Sequence, residues 1–236
     1  MRFAVVRFGG SNCDLDTVYV LEDVIGVRTD LVWYRDGLRR GYDAVVLPGG
    51  FSYGDYLRAG AIAARTPIMA DVLRHANNGG LVLGICNGAQ IGAESGLVPG
   101  VFTRNGEPRF VCRPIWLRVE TTESPFTNLF RRGEVIRLTV AHGEGRYVAD
   151  PDVIRRLNRE KRVALRYCDS GGHITAEANP NGSIEGIAGV LSEHRNVLVM
   201  MPHPERASEP VLGSEDGRRI FESMVAHCCR EPGAKD

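Results

Sequence analysis

The sequence predicts an α/β fold in which a mostly parallel sheet is covered by helices on both faces. Short β-branched runs alternate with helical stretches, and runs such as Ala44–Leu47 and Leu81–Gly84 are apolar throughout. Continuous apolar strands between helices are typical of a parallel sheet that is buried on both sides. Further along, Arg109–Val119 and Val135–Val140 are strand-like but have no full crossover helix between them. Because a parallel pair needs such a crossover, this region favours an antiparallel extension of the sheet.

The remaining elements follow in chain order. The first strand, Phe3–Phe8, leads into a helix over Leu15–Ile25, for which the polar residues Ser11, Asn12 and Asp14 are capping candidates. Further strands are predicted at Val27–Tyr34, Val163–Tyr167, Ile187–Leu191 and Val197–Met201, and further helices near Met69–Ala76, Ala89–Glu94 and Asp216–Cys229. No repeat or linker interrupts the series. We therefore expect one domain over residues 1–229 and a polar tail over residues 230–236.

The composition argues against several classes of function. Acidic and basic residues balance at 29 each, so nothing indicates binding to nucleic acid or to an anionic membrane. No apolar stretch approaches the roughly 20 residues of a membrane span, and no signal peptide is recognised. The six cysteines are too few for a disulfide framework, and their spacing does not indicate zinc. We expect a cytoplasmic protein without a metal site.

The sharpest local signal is the pentapeptide Gly84-Ile85-Cys86-Asn87-Gly88, which joins a predicted strand to a predicted helix. This G-x-C-x-G sequence is the thiol analogue of the G-x-S-x-G elbow, in which small residues permit a sharp turn. Such a turn holds the reactive atom above the carboxyl ends of the strands. The start of the helix favours the thiolate, which is the form that attacks. The pentapeptide alone also fits a buried structural cysteine at a tight turn.

A proton partner for this thiol is predicted at His203. An apolar strand ends at Met201, and His203 and Glu205 then stand two residues apart, so in an extended segment both point to the same side. Glu205 is therefore placed to hold the imidazole ring while its other nitrogen faces the thiol. Pro202 and Pro204 keep this segment out of a helix. The alternative is a surface turn with an incidental histidine.

An oxyanion hole is predicted where the strand Ala44–Leu47 ends in Pro48-Gly49-Gly50. Glycine allows the backbone to approach a ligand closely. The backbone amide of Gly50, together with that of Asn87 just after the nucleophile, is placed to bind a developing oxyanion. By itself the Pro-Gly-Gly sequence also fits an ordinary glycine loop.

These elements, in the order Pro-Gly-Gly, Gly-x-Cys-x-Gly and His-Pro-Glu, resemble those of class I glutamine amidotransferases. Longer motifs narrow the resemblance to the glutaminase subunits of phosphoribosylformylglycinamidine synthase, from purine biosynthesis. The motifs are Gly10-Ser-Asn-Cys-Asp14, Pro48-Gly-Gly-Phe-Ser-Tyr-Gly-Asp-Tyr-Leu-Arg-Ala-Gly60, Ala141-His-Gly-Glu-Gly-Arg-Tyr147, Asn179-Pro-Asn-Gly-Ser183 and Met201-Pro-His-Pro-Glu-Arg-Ala207. Two positions depart from the pattern, Gly9 in place of proline and Ala89 in place of a bulkier apolar residue.

The resemblance implies a flavodoxin-like three-layer sandwich with its active site at the carboxyl ends of the strands. It carries Cys86 over as the nucleophile, His203 as its base and acid, and Glu205 as the residue that orients His203. The implied reaction hydrolyses glutamine through a thioester and releases ammonia. Candidates for the loops that line the glutamine site are Gly49, Phe51, Gln90 and His142.

The same resemblance implies partners. Ammonia would pass to a large ATP-using synthetase subunit, which converts formylglycinamide ribonucleotide to the amidine, and a small third protein would bridge the complex. The chain itself has no G-x-x-x-x-G-K-[ST] sequence, and its only lysines are Lys161 and Lys235. We therefore expect no cofactor on this chain, and ATP with Mg²⁺ on the partner.

Several residues have competing interpretations. His142 and Glu144 repeat the i, i+2 spacing, and we expect them to support or couple the site rather than to transfer protons. Residues 51–58 suit a loop at the substrate mouth or facing the synthetase, with a plain surface loop as the alternative. Cys13 is expected to be structural. The arginines are expected to form a solvated face rather than a subunit contact, at positions 155, 156, 159, 162 and 166.

Two other functions compete with the glutaminase. A cysteine peptidase or stress-related hydrolase would use the same elbow, but the late His-Pro-Glu segment and the long motifs argue against it. A non-catalytic binding module would keep the fold without needing a nucleophile, a base and an orienting acid together. The sequence contains all three, and this favours the enzyme.

Overall fold

The computed structural model describes residues 1–230, which form a layered α/β structure. Its strands are β1 (Arg2–Arg7), β2 (Arg28–Trp33), β3 (Ala44–Leu47), β4 (Leu81–Ile85), β5 (Val101–Thr103), β6 (Val111–Val119), β7 (Val135–His142), β8 (Arg146–Val148), β9 (Val163–Cys168), β10 (Ile187–Leu191) and β11 (Val197–Met200). Its α-helices are α1 (Asp14–Tyr19), which continues as a π-helical turn over Val20–Val24, α2 (Pro67–Asn77), α3 (Asn87–Glu94), α4 (Pro151–Arg159) and α5 (Arg218–Cys228).

One mixed sheet organises the described residues, with the strand order β2-β1-β3-β4-β11-β10-β9-β6-β7. The first five strands are parallel, in a doubly wound order that begins β2-β1-β3-β4. Strands β10, β9, β6 and β7 continue the sheet in antiparallel pairs. The predicted fold class, a parallel sheet with an antiparallel extension, is therefore confirmed. A separate antiparallel pair is formed by β5 and β8.

The burial of the strands explains why the sequence predicts this fold class. Every residue of β3, β4 and β11 is buried, as expected of strands that are covered on both faces. In β7, by contrast, buried positions alternate with more exposed ones, because one face of this edge strand is open. The two burial patterns correspond to the continuous and the alternating apolar patterns of the sequence.

Three elements were not predicted: β5, β8 and α4. The two strands are three residues long, too short to give a period, whereas α4 has buried apolar residues at helical spacing, Ile154 and Leu157, among its arginines. Two of the arginines expected on a solvated face are buried instead. Arg162 donates to the Leu191 carbonyl at 3.2 Å, and the Arg166 guanidinium bonds the Glu185 carbonyl, because both residues lie at or within β9 rather than on α4.

The start of α1 also differs from the prediction. The residue at the N-cap is Cys13, and its side chain forms no capping hydrogen bond. Asp14 pairs with Arg7, and the Ser11 hydroxyl accepts from the amide of Phe8, so these two candidates hold the preceding loop rather than the helix.

Within residues 1–230 no helix is both long and apolar enough to cross a membrane. The single domain over residues 1–229 stays a prediction. Apart from Arg230, the predicted polar tail lies outside the described residues.

Candidate active site

Cys86 lies on a strained turn between β4 and α3. Its backbone has φ 50° and ψ −106°, a conformation that is costly for a residue with a side chain and is typical of nucleophile elbows. The flanking glycines are required by close packing. A methyl group at Gly84 would lie 2.7 Å from the carbonyl oxygen of Gly88, and one at Gly88 would lie 1.9 Å from that of Leu47. These contacts give the G-x-C-x-G spacing a structural reason.

His203 reaches the same edge of the sheet from the neighbouring strand. Strand β11 pairs with β4 in parallel, with Met200 opposite Ile85, so the residues that follow both strands emerge side by side. The His203 amide donates to the Thr139 carbonyl at 2.8 Å, and this fixes the backbone. Its ring atom Nδ1 lies 2.5 Å from Glu205 Oε1, as the i, i+2 spacing predicted.

These three side chains are almost fully buried, with exposed fractions of 5% for Cys86, 1% for His203 and 2% for Glu205. Burial by itself lowers the pKa of His203, but the charges of Glu205 and Cys86 outweigh it and hold that pKa well above 6.5. The other ring nitrogen, Nε2, is buried without a hydrogen-bond partner among residues 1–230. The arrangement favours an imidazolium beside the Cys86 sulfur.

The Gly49–Gly50 turn lies at the end of β3, the other neighbour of β4. The Gly49 carbonyl accepts from the amides of Asn12 and Cys13, at 3.2 and 3.1 Å. A methyl group at Gly50 would lie 2.7 Å from the Asn12 nitrogen and the residue has φ 153°, so only glycine fits. Asn87 is the first residue of α3, where an amide has no partner inside the helix.

A chain of side-chain hydrogen bonds crosses the elbow helix. The Ser52 amide donates to Asn87 Oδ1 at 3.1 Å, and Asn87 Nδ2 donates to Gln90 Oε1 at 2.9 Å. Gln90 Nε2 then donates to the Glu144 carbonyl at 2.7 Å. Gln90, a candidate for the glutamine loops, thus joins the loop after β3 to the loop after β7.

His142 is buried at the end of β7, one residue from the Ala141 carbonyl that lies 3.5 Å from the Cys86 sulfur. Its Nε2 lies 3.3 Å from Asn181 Nδ2, which also donates to the Gly145 carbonyl at 2.8 Å. Burial, reinforced by the positive charge of His203, lowers the pKa of His142 to about 4. The ring is therefore neutral near pH 7.

Phe51 lies at the rim of the site. It is partly exposed, and its ring centroid is 6.3 Å from that of Phe110. Beside them a cavity of about 230 Å³ is lined by Arg104, Phe110 and Glu144, among others. A larger cavity of about 660 Å³ lies beside Tyr42 and His75, at the amino ends of the parallel strands and away from Cys86.

Sequence reasoning missed two residues of the site, Cys13 and Arg206. Arg206 Nη2 donates to Cys13 Sγ at 3.0 Å. The Cys13 sulfur, a ring nitrogen of His203 and a carboxylate oxygen of Glu205 all lie within 4.8 Å of one another. The only signal was that both belong to the longer motifs, at Gly10–Asp14 and Met201–Ala207. The same three donor atoms are close enough together to hold a metal ion, and the expectation of no metal stays a prediction.

The family described as CobB/CobQ-like glutamine amidotransferase domain matches residues 1–228. The chain belongs to this family. Two relatives named phosphoribosylformylglycinamidine synthase subunit PurQ are similar to it over nearly the whole length. The one from Methanosarcina acetivorans is 55% identical over 225 residues, 95% of this chain and 97% of the relative. The one from Gloeobacter violaceus is 53% identical over 226 residues, 96% of this chain and 97% of the relative.

Two solved structures share the fold of this chain. A chain in the structure of PurLQS from Thermotoga maritima superimposes with a TM-score of 0.85 at 44% identity, covering 96% of this chain and 98% of that one. A glutamine amidotransferase from the same organism, at 13% identity and TM-score 0.59, covers 97% of each chain and shares the fold. The resemblance inferred from the sequence motifs is therefore confirmed.

Proposed function

We propose that this glutamine amidotransferase is the glutaminase subunit of phosphoribosylformylglycinamidine synthase. It hydrolyses glutamine to glutamate and ammonia, and the ammonia converts formylglycinamide ribonucleotide to formylglycinamidine ribonucleotide in purine biosynthesis. One observation carries this proposal. A cysteine on a strained elbow shares its sheet edge with a buried histidine–glutamate pair, in a chain that is 55% identical to a PurQ subunit over 95% of its length.

In the proposed mechanism the Cys86 thiolate attacks the side-chain amide carbon of glutamine. The amides of Gly50 and Asn87 stabilise the charge that develops on the amide oxygen, which is worth about 10²–10³ in turnover for each donor. His203 gives its proton to the departing nitrogen, the C–N bond breaks, and ammonia leaves a thioester on Cys86. His203 then takes a proton from water, which attacks the thioester and releases glutamate and the thiolate.

The loops around the elbow are proposed to form the glutamine site. Gly49 and Phe51 follow β3, and Gln90 and His142 flank the nucleophile from α3 and from the end of β7. We assign His142 a supporting role because its neutral ring is held by Asn181. The Glu144 carboxylate is engaged elsewhere, since its Oε2 accepts from the Ala59 amide at 3.4 Å.

The ammonia acceptor is proposed to be bound by a partner. A large subunit that uses ATP and Mg²⁺ would carry out the ligation, and a small subunit would bridge the complex, while this chain would hold no cofactor. The chain in the PurLQS structure, at 44% identity over 96% of this sequence, supports an assembly of this kind. A cytoplasmic location is proposed for the complex.

The decisive experiment measures glutamate release from glutamine, with and without the synthetase subunits, formylglycinamide ribonucleotide and ATP. Wild type is expected to be stimulated by the partners, whereas Cys86→Ala should lose all partner-dependent release because it lacks the nucleophile. Cys168→Ala, which removes a thiol outside the site, is the matched control and should retain activity.

Two outcomes would contradict this proposal. If Cys86→Ala hydrolysed glutamine as fast as wild type, the mechanism would be wrong. If His142→Ala were nearly inactive while His203→Ala kept its activity, the two histidines would have the opposite roles.

A further inference from the structure

The segment before α1 lies against the proposed site, although the mechanism gives it no role. The amides of Asn12 and Cys13 both donate to the Gly49 carbonyl. That carbonyl belongs to the same planar peptide unit as the Gly50 N–H, and the two groups point in opposite directions. Two donors on the carbonyl therefore fix the direction of the N–H that is proposed to bind the oxyanion.

The side chain of Cys13 lies against the segment that carries His203 and Glu205. Its sulfur accepts from Arg206 Nη2 at 3.0 Å, a contact that joins residues 193 positions apart in the chain. The same sulfur lies within 4.8 Å of a ring nitrogen of His203 and of a carboxylate oxygen of Glu205, and all three residues are buried. Only 2% of Cys13 is exposed, so its sulfur is buried at this contact.

Gly49 shows how tightly the sulfur and the ring are packed. A methyl group at Gly49 would lie 2.8 Å from His203 Cε1 and 3.2 Å from Cys13 Sγ. The ring and the sulfur thus pack against the same backbone atom. Because protein interiors are close-packed, removal of the sulfur would leave space beside the ring into which it is able to turn.

We propose that Cys13 is a positioning residue, which orients the oxyanion donor through its backbone and the His203 ring through its thiol. This inference rests on the proposed function, in which His203 moves the protons. Cys13 forms no bond to glutamine. It acts by restricting the ring, so that Nδ1 stays on Glu205 and Nε2 is left free for the Cys86 sulfur.

The surroundings of the ring predict a change in pH dependence. The titratable and charged groups near His203 are Glu205, Arg206, Cys86, Cys13 and His142. Burial lowers the pKa of His203, and Glu205, Cys86 and Cys13 raise it. Loss of the Cys13 thiol removes one of the contributions that raise this pKa. The alkaline limb of the kcat profile, where the imidazolium loses its proton, should therefore move to lower pH.

The test compares Cys13→Ala and Cys13→Ser with wild type in the reconstituted complex. For Cys13→Ala we expect kcat to fall by roughly tenfold to 10²-fold, because small misplacements of catalytic groups cost that much, while KM for glutamine stays within about twofold. Cys13→Ser should recover part of the rate, since its hydroxyl still accepts from Arg206. Cys168→Ala is the matched control, because it removes a thiol that is also 2% exposed and should leave kcat and its pH profile unchanged.

The outcomes separate this inference from the proposed function. A wild-type complex that released no glutamate would overturn both. An active wild type with the same kcat and pH profile in Cys13→Ala would overturn only the role of Cys13. If Cys13→Ala does not fold, the test uses Cys13→Ser instead. The quantity measured is the rate at which a reactive glutamine analogue labels Cys86. Slower labelling than in the Cys168→Ala control supports the inference, and an equal rate contradicts it.

Discussion

At the scale of single residues, the elbow combines strain with close packing. Cys86 has φ 50°, and such conformations cost on the order of 1–3 kcal/mol and persist only where the surroundings enforce them. Gly84, Gly88 and Leu47 supply that enforcement, because their backbones lie too close together for any side chain at the two glycines. The same backbone packing therefore holds Cys86 in its strained conformation and sets the position of its side chain.

Gly88→Ala tests this packing. The added methyl group would meet the Leu47 carbonyl oxygen at 1.9 Å, and backbone cannot move aside as a flexible side chain would. We expect a loss of about 1–3 kcal/mol in the free energy of unfolding, measured in urea, and a sharp fall in glutaminase kcat. Gly9→Ala, where nothing lies within 4 Å, is the control and should change neither quantity. An unchanged kcat in Gly88→Ala would show that the elbow is less rigid than its contacts indicate.

At the scale of elements, the loop after β3 is tied to the site at two points. Tyr53, Asp55 and Leu57 all have positive φ, and the loop is fixed through Ser52 to Asn87 and through Ala59 to Glu144. Asp55 Oδ1 is buried without a hydrogen-bond partner in the described part of the chain. Burial, with a smaller contribution from Glu144, raises the pKa of Asp55 to about 6.

Asp55→Asn should therefore stabilise the protein in a pH-dependent way. A carboxyl whose pKa is raised on folding, from 3.8 to about 6, makes the protein less stable as pH rises through that window. The amide carries no charge and avoids this loss. We expect the Tm of the variant to exceed that of wild type at about pH 8 and to equal it at about pH 3.5. Asp23→Asn, at an exposed position, is the control; an identical gain there would argue against burial as the cause.

At the scale of the whole molecule, the strand order assembles the site. The three functional segments follow β3, β4 and β11, which are neighbours in the sheet although β11 lies more than a hundred residues beyond β4. Around this edge three large apolar side chains are exposed, those of Phe51, Leu57 and Phe110. We expect this rim to meet the proposed synthetase partner, because in the proposed function ammonia passes to that partner without escaping into water.

Leu57→Glu tests the rim. Leu57 is 93% exposed, so the change should leave the thermal stability of the isolated chain almost unaffected. A charge in the contact should lower the stimulation of glutamine hydrolysis by the partner about tenfold or more, measured as a titration with the synthetase subunits. Val211→Glu, at a residue that is 86% exposed, is the control. Full stimulation of Leu57→Glu would place the partner elsewhere.

Features of the site that depend on residues close together in the chain were predicted from the sequence, whereas features that depend on distant residues were not. The elbow at Cys86 and the pairing of His203 with Glu205 depend on residues within a few positions of each other, so motif spacing was enough to propose them. The strands β5 and β8 were missed because three residues are too few to show a period. Helix α4 does carry a helical spacing of buried apolar residues, at Ile154 and Leu157, and the prediction passed over it. The burial of Arg162 and Arg166 was missed because it depends on where β9 lies in the sheet.

The sequence by itself determined the α/β class, the glycine spacing of the elbow and the membership of the glutamine amidotransferases. These follow from local apolar patterns and from motifs that are contiguous in the chain. Only the tertiary structure decided that Cys13 lies beside His203, and that Asn87 and Gln90 connect two loops through Ser52 and Glu144. Such contacts join residues that are tens to hundreds of positions apart. They exist only once the parallel strands have been ordered, because the order of the strands determines which loops share one edge of the sheet.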